Sequence, residues 1–201
     1  MKLSPLAKLA LPFLVALALA LPGCSPQDPV GKGDDKTTDA KPAKPAQPYE
    51  AVAADGKGFT VGAMMSAHTV YVLFDPQCPH CGHLWEASVP LHSKVKFVWI
   101  PVAFINAKSG PQGAALLAAA NPAELMATHE KSILAGTGGI SAMEAAPVEI
   151  NKAIKKNTVL LNSLGVESVP YIIAKNIQTG AVVTNTGAMD TAALGVFLGV
   201  N

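Results

Sequence analysis

The stretch that most constrains the fold runs from residue 68 to residue 104, where two β-rich runs flank a helix whose first turn carries a cysteine pair. His68-Thr69-Val70-Tyr71-Val72-Leu73-Phe74 is β-branched and aromatic and stops at Asp75-Pro76, and residues 95–104 form a second run of the same kind. Both are nearly continuously apolar, as strands covered on both faces of a central sheet are. Between them, residues 79 to about 92 place Leu84, Trp85, Val89 and Leu91 on one helical face. A strand-helix-strand unit of this kind makes parallel neighbours through a right-handed crossover.

Beyond this unit, alanine- and leucine-rich segments at about 111–120, 122–135 and 147–163 read as helices, forming a helical insertion over about 109–164. Asn121-Pro122 supplies a cap and a first-turn proline between the first two, and Gly165 closes the third. Val169-Pro170-Tyr171-Ile172-Ile173-Ala174 and Ala181-Val182-Val183-Thr184 then flank Gln178-Thr179-Gly180 at hairpin spacing, and a last helix covers about 190–199. The expected class is α/β, in the order strand, helix, strand, helical insert, strand, strand, helix.

Half of the 201 residues are hydrophobic, enough for one domain with a substantial core. Fifteen basic side chains, all lysine, balance fourteen acids, so no field exists to hold a polyanion and nucleic acid is excluded as a partner. The absence of arginine also removes the bidentate fork that phosphate sites commonly use.

Residues 1–23 carry a short basic head, Lys2 and Lys8, then an apolar stretch over residues 9–21 that is shorter than the roughly 20 residues of a membrane span. This reads as an export signal. Leu21-Pro22-Gly23-Cys24 resembles the bacterial lipobox, which makes Cys24 the lipidated first residue of the mature protein. Cleavage after Ala18-Leu19-Ala20 is the competing reading and leaves Cys24 a free thiol. Lipidation is favoured, because a loose thiol beside a reactive pair invites wrong disulfides in an oxidising compartment. Ser25 after the cysteine points, by resemblance to bacterial lipoproteins, to the outer membrane of the cell envelope, on its periplasmic side. Residues 24–48 hold almost no large apolar side chain to offset their ordering entropy, and they read as a disordered tether extended by Pro42, Pro45 and Pro48. The folded unit, residues 49–201, is expected to begin near Tyr49.

A helix opening at Pro79 puts Cys78 at the N-cap, Pro79 at the first helical position and Cys81 at the third. The free amides of that turn and the positive helix end stabilise a Cys78 thiolate, lowering its pKa below the free value of about 8.5. Cys81, one turn deeper, is then the resolving thiol, at a spacing that suits a disulfide. A charge on His80, between the two, adds to thiolate stabilisation and raises the oxidising power of the disulfide form. No cofactor is implied. A zinc site lacks a second Cys-x-x-Cys, haem attachment needs a histidine where Gly82 stands, and a structural disulfide closing so short a loop would add little. Asp75 and Glu86 are candidate proton acceptors for Cys81. His83 reads as a solvated helix residue, Trp85 as core and Lys155-Lys156 as solvent-facing, while Met64 and Met65 are too few for a copper site.

Phe74-Asp75-Pro76-Gln77-Cys78-Pro79-His80-Cys81 followed by Leu84-Trp85, together with Gly165-Val166-Glu167-Ser168-Val169-Pro170, resembles the periplasmic disulfide isomerases DsbG and DsbC of the thioredoxin superfamily, DsbG more closely. The similarity extends over residues 59 to about 200. It implies a thioredoxin-like fold with a helical insertion and thiol-disulfide oxidoreductase activity on exported proteins with cysteines. It also implies a membrane redox partner of the DsbD or DsbB type, and a cis-proline at Pro170 whose preceding residue, Val169, pairs its backbone with substrate. The resemblance lacks the family's N-terminal dimerisation domain, which points to a monomer. Val169 and His80 stand where the family has threonine and tyrosine, both changes toward DsbA, so isomerisation yields ground to oxidation or simple exchange. The competing class is a lipid-tethered chaperone or metal-binding assembly protein.

Overall fold

A computed structural model describes residues 45–200. The export signal read in residues 1–23, the lipidation read at Cys24 and the tether as far as residue 44 lie outside the described residues.

Six α-helices and five strands follow one another among the described residues: α1 Pro48–Asp55, β1 Phe59–Gly62, β2 Thr69–Phe74, α2 Pro79–Ser88, β3 Lys96–Pro101, α3 Ser109–Ala118, α4 Pro122–Leu134, α5 Val148–Ser163, β4 Tyr171–Lys175, β5 Val182–Thr186 and α6 Thr191–Leu198. The strands make one sheet in the order β1-β3-β2-β4-β5. β2 and β3 run parallel, from Thr69 opposite Lys96 to Phe74 opposite Pro101, as a strand-helix-strand unit requires, and the other pairs are antiparallel. Of the three central strands, β2 and β3 bury both faces toward their ends at Phe74 and Pro101 and β4 buries both from Tyr171 to Ala174, which is why they read as apolar runs, whereas the edge strand β5 buries none of its residues.

The core ties the sheet to α2 through aromatic edges. Trp99 of β3 meets Phe74 of β2 at 5.5 Å between ring centroids and Trp85 of α2 at 5.2 Å, both edge-on. Each such pair contributes roughly 0.5–1.5 kcal/mol beyond area burial. Trp85 is thus core. Between β3 and β4, α3, α4 and α5 cover the end of the sheet from which α2 starts, with Asn121 capping α4 by accepting from the Glu124 amide at 3.3 Å. Asn157 of α5 is fully buried and satisfied, donating to the Pro101 and Lys57 carbonyls at 2.9 and 2.7 Å.

Three details differ from the sequence expectation. The helix expected to reach residue 92 leaves α geometry after Ser88 and tightens into a 3-10 turn over Val89–Leu91, because Pro90 has no N–H and its ring opposes the preceding turn's carbonyl. The strand expected over 95–104 stops at Pro101, since the Phe104 and Ile105 amides donate to the Asp75 carboxylate instead of to a ladder. Finally, α1 and β1 carry too little periodicity to be read locally. Pro48, placed by its composition in the tether, opens α1, and Tyr49 docks that helix with its ring 5.3 Å from that of Tyr71.

Candidate active site

The site grows from the end of β2. After Phe74, the Asp75 carbonyl accepts from the Cys78 amide at 3.0 Å, closing a tight turn that delivers Cys78 to the N-cap of α2 in extended conformation (φ −97°, ψ 111°). Pro79 takes the first helical position, where its fixed φ fits and no N–H is missed. The fully buried Asp75 braces this turn. Its Oδ1 accepts from the Gln77 amide at 2.8 Å, and its Oδ2 from the Phe104 and Ile105 amides at 2.7 and 2.9 Å. One carboxylate thereby fixes both the loop before the cysteines and the loop after β3.

Cys78 and Cys81 are free thiols with unequal environments. Cys78 is lowered to about 7, first by a hydrogen bond from the Cys81 thiol and then by the backbone amides of Cys81 and His80, which together outweigh the opposing effect of burial. Cys81 is pushed well above the usual thiol range, first by burial and then by its donation to Cys78. The pair is therefore split into an acidic thiol at the helix end and a resistant one beneath it. Cys78 is only 4% exposed, and its Sγ lies 3.5 Å from the Val169 carbonyl, a contact that only the protonated thiol can donate to. Val169 and Pro170 are both buried and joined by a cis peptide bond. Pro79 and His80 lie exposed on the rim, and it is the His80 backbone N–H that acts on the sulfur.

Beneath the motif, α4 presents two buried polar residues. His129 Nδ1 accepts from the Ile140 amide at 3.1 Å, so the proton of the neutral ring sits on Nε2, which donates to the Pro76 carbonyl at 2.6 Å. Gln112 of α3 joins this support by donating to the Gly138 and Ile140 carbonyls and by accepting from Gln77 Nε2. Glu130 is fully buried, and neither carboxyl oxygen has a hydrogen-bond partner. Its pKa is raised to about 9, first by burial and then by the charges of Cys78, Asp75 and Glu86.

No protein-family model matches the chain. It is 30% identical over 140 residues to the thiol:disulfide interchange protein DsbG of Pseudomonas aeruginosa and 29% identical over 135 residues to DsbG of Escherichia coli. The alignments take in 69% and 65% of this chain but 54% and 52% of those proteins, so the chain spans about half the length of the curated relatives it matches. Among solved structures, a periplasmic thioredoxin-like protein from Salmonella enterica serovar Typhimurium superimposes with a TM-score of 0.59 at 18% identity, over 75% of this chain and 93% of that one. The chain is DsbG-like, with a thioredoxin-like fold. The thiol-disulfide exchange protein alpha-DsbA2 from Wolbachia pipientis has the same fold, with a TM-score of 0.55 at 15% identity over 75% of this chain and 94% of that one.

In this DsbG-like chain the tertiary structure gathers Cys78, Pro79, His80, Cys81, Val169 and Pro170 at one end of the sheet, from segments some 90 residues apart. Of the two candidate proton acceptors, Asp75 is already committed to three amides, and Glu86 points outward from α2. Sequence reasoning passed over His129 and Glu130. One signal was available: with Met126 and Ile133 they follow the i, i+3, i+4, i+7 pattern, which puts both on the buried face of α4. Among the described residues, no cluster of three or more His, Cys, Asp or Glu side chains is built to hold a metal.

Proposed function

We propose that the chain exchanges disulfides with exported proteins in the periplasm through Cys78 and Cys81. The observation that carries this reading is the split between an acidic, helix-capping Cys78 and a buried, resistant Cys81. The names of its DsbG relatives, and of a periplasmic structural neighbour, lend it support. The Cys78 thiolate attacks one sulfur of a substrate disulfide, forming a mixed disulfide and releasing the other substrate sulfur as a thiolate. Cys81 then loses its proton and attacks the Cys78 sulfur. The enzyme disulfide forms as the mixed disulfide breaks, and the second substrate thiolate departs. Run in reverse, a substrate thiolate opens the Cys78–Cys81 disulfide, so the same geometry serves oxidation, reduction or isomerisation. Pro79 opens the helix, His80 faces the incoming chain, and Val169 with Pro170 forms the wall along which a substrate strand lies.

A Cys81→Ala variant tests the reading: it should accumulate reducible adducts on Cys78 in cells, and their absence removes the exchange role. An alkylation midpoint for Cys78 near the free value of about 8.5 would return the chain to the tethered binding-protein reading. The steady-state redox form of the pair in cells sorts the partner, reduced for a DsbD-type donor and oxidised for a DsbB-type acceptor. We extend the reading to a monomer held in the envelope by a lipid on Cys24, at the end of a tether. Cys24→Ser should move it from the membrane to the soluble periplasmic fraction, and membrane retention by that variant overturns the anchor.

A further inference from the structure

On the anchor reading above, and independently of the exchange chemistry, we propose that the outer face of α5, together with Lys57, is a docking surface for an anionic lipid membrane that sets how the tethered domain lies on it.

The two sides of α5 differ in kind. Ile154, Asn157 and Leu161 point into the core and are buried. On the other side Val148, Lys152, Lys155 and Val159 follow at spacings of four, three and four, which puts them on one stripe about 16 Å long. All four are exposed, the valines by 77% and 67%, so a row of cations has a large apolar side chain left in water at each end. Lys156 borders the stripe and is exposed as well.

A fourth lysine reaches this face from another segment. The buried Asn157 side chain accepts from the Lys57 amide at 2.9 Å and donates to the Lys57 carbonyl at 2.7 Å, fixing the backbone of the loop after α1 to α5. Two adjoining hollows of about 560 and 370 Å³ result, and Lys57, Lys152 and Lys156 line both. Lys155 and Val159 line the first, Leu117 and Ile150 the second. The lining carboxylates are Asp55 and Glu149. Lys152 meets Glu149 only at 3.9 Å and both side chains are exposed, so that contact offsets little of the positive charge. The near balance of charge over the whole chain thus conceals a local excess here.

Three features select a membrane as the occupant. The cations are all lysines, point charges without arginine's planar fork, which suits attraction to a sheet of headgroups better than a grip on one dissolved phosphate. Their long stems cover the apolar floor while the ammonium groups reach the headgroups, and the exposed valines enter the boundary between headgroups and acyl chains. The third feature is connectivity. The tether read in residues 24–48 joins the domain at Pro48, and α1, about 10 Å long, ends at Asp55 on the rim of the first hollow. A segment of that length spans at most about 80 Å, so a lipid on Cys24 holds this face near the membrane at high effective concentration. Alone the surface is weak, and Cys24→Ser protein dissociates at physiological salt. Joined to the anchor, it fixes orientation. No residue assigned to the exchange site lines either hollow, so docking leaves Cys78, Val169 and Pro170 to substrate.

The test uses full-length Cys24→Ser protein, which carries no lipid. It is mixed with vesicles of phosphatidylethanolamine and phosphatidylglycerol, or of phosphatidylcholine alone, at an ionic strength of about 0.01 M, where the Debye length is roughly 30 Å. The protein should float with the anionic vesicles and not with the neutral ones, and lose that binding as salt is raised. Lys152→Gln, Lys155→Gln and Lys156→Gln together should lower the partition coefficient roughly a hundredfold, at about fivefold per lysine. Lys131→Gln, on α4, should leave it unchanged. All these side chains are exposed, and thermal unfolding of the triple variant should match that of its parent. Absence of binding to the anionic vesicles, equal binding to the neutral ones, or a triple variant that binds as well as its parent overturns the proposal. Displacement by inorganic phosphate at matched ionic strength overturns it too, by assigning the lysines to a small-anion site. The anchor reading stands or falls separately, on the fractionation of Cys24→Ser in cells, and the exchange reading on the Cys81→Ala trap.

Discussion

At the residue scale, the chemistry rests on neighbours that treat two identical thiols oppositely. Cys78 owes its low pKa first to the Cys81 thiol and only then to the amides at the start of α2. Cys81→Ala, useful as a trap, should therefore also raise the alkylation midpoint of Cys78 from about 7 toward the free value of about 8.5. A pH series of iodoacetamide rates on the reduced variant checks this, and an unchanged midpoint would assign the effect to the helix end. Asp75 works through position. Its carboxylate accepts from three amides in a fully buried setting, and charge-assisted hydrogen bonds contribute roughly 1.5–3 kcal/mol each. Asp75→Ala should thus cost at least about 3 kcal/mol in urea unfolding and loosen the loops on both sides of the motif.

At the scale of elements, α4 acts as a floor under α2. Gly82 permits the close approach: a methyl group there would stand 2.9 Å from Glu130 Oε2 and 3.0 Å from Leu134 Cγ, so both side chains would have to shift to admit it. Gly82→Ala is expected to cost about 1–3 kcal/mol despite its favourable helix propensity, as overpacking does, and thermal unfolding measures it. His129 ties α4 to the loop ahead of the cysteines as a neutral ring, its pKa held below the usual value first by burial. The unfolded chain takes up a proton as pH falls through about 6.5, while the folded ring resists until lower pH. Stability present above 6.5 is consequently lost as pH drops below it. His129→Gln should flatten that acid loss in unfolding experiments, with His92, also lowered by burial, accounting for the remainder.

For the whole molecule, the buried carboxyl sets an opposite pH dependence. Glu130 keeps its proton to about 9 when folded, whereas an unfolded glutamate releases it near 4.5. The folded state therefore binds the extra proton over that window, and stability falls as pH rises by about 1.4 kcal/mol per unit. The unfolding free energy of reduced Glu130→Gln relative to wild type should accordingly grow with pH across this range. The comparison is cleanest below about 7, before Cys78, whose lowered pKa works in the other direction between about 7 and 9, ionises and couples to Glu130. A pH-independent difference would mean that Glu130 is ionised or solvated in solution.

What the sequence by itself determined is the local grammar. The apolar runs of β2 and β3, the helix between them, Asn121 as a cap, the helical insertion and the hairpin at Gly180 are all written in neighbouring residues, since strand and helix periods and turn chemistry act over short spans. The N-cap position of Cys78 was legible for the same reason. What only the tertiary structure decided is what meets that cap. β3 ends early because a distant carboxylate, Asp75, captures its following amides. α1 and β1 are too short to declare themselves and hold by docking on the rest of the sheet and its core. Above all, His129 and Glu130 are ordinary helix residues until chain topology lays α4 beneath α2, where burial turns one into a neutral hydrogen-bond bridge and the other into a carboxyl that keeps its proton.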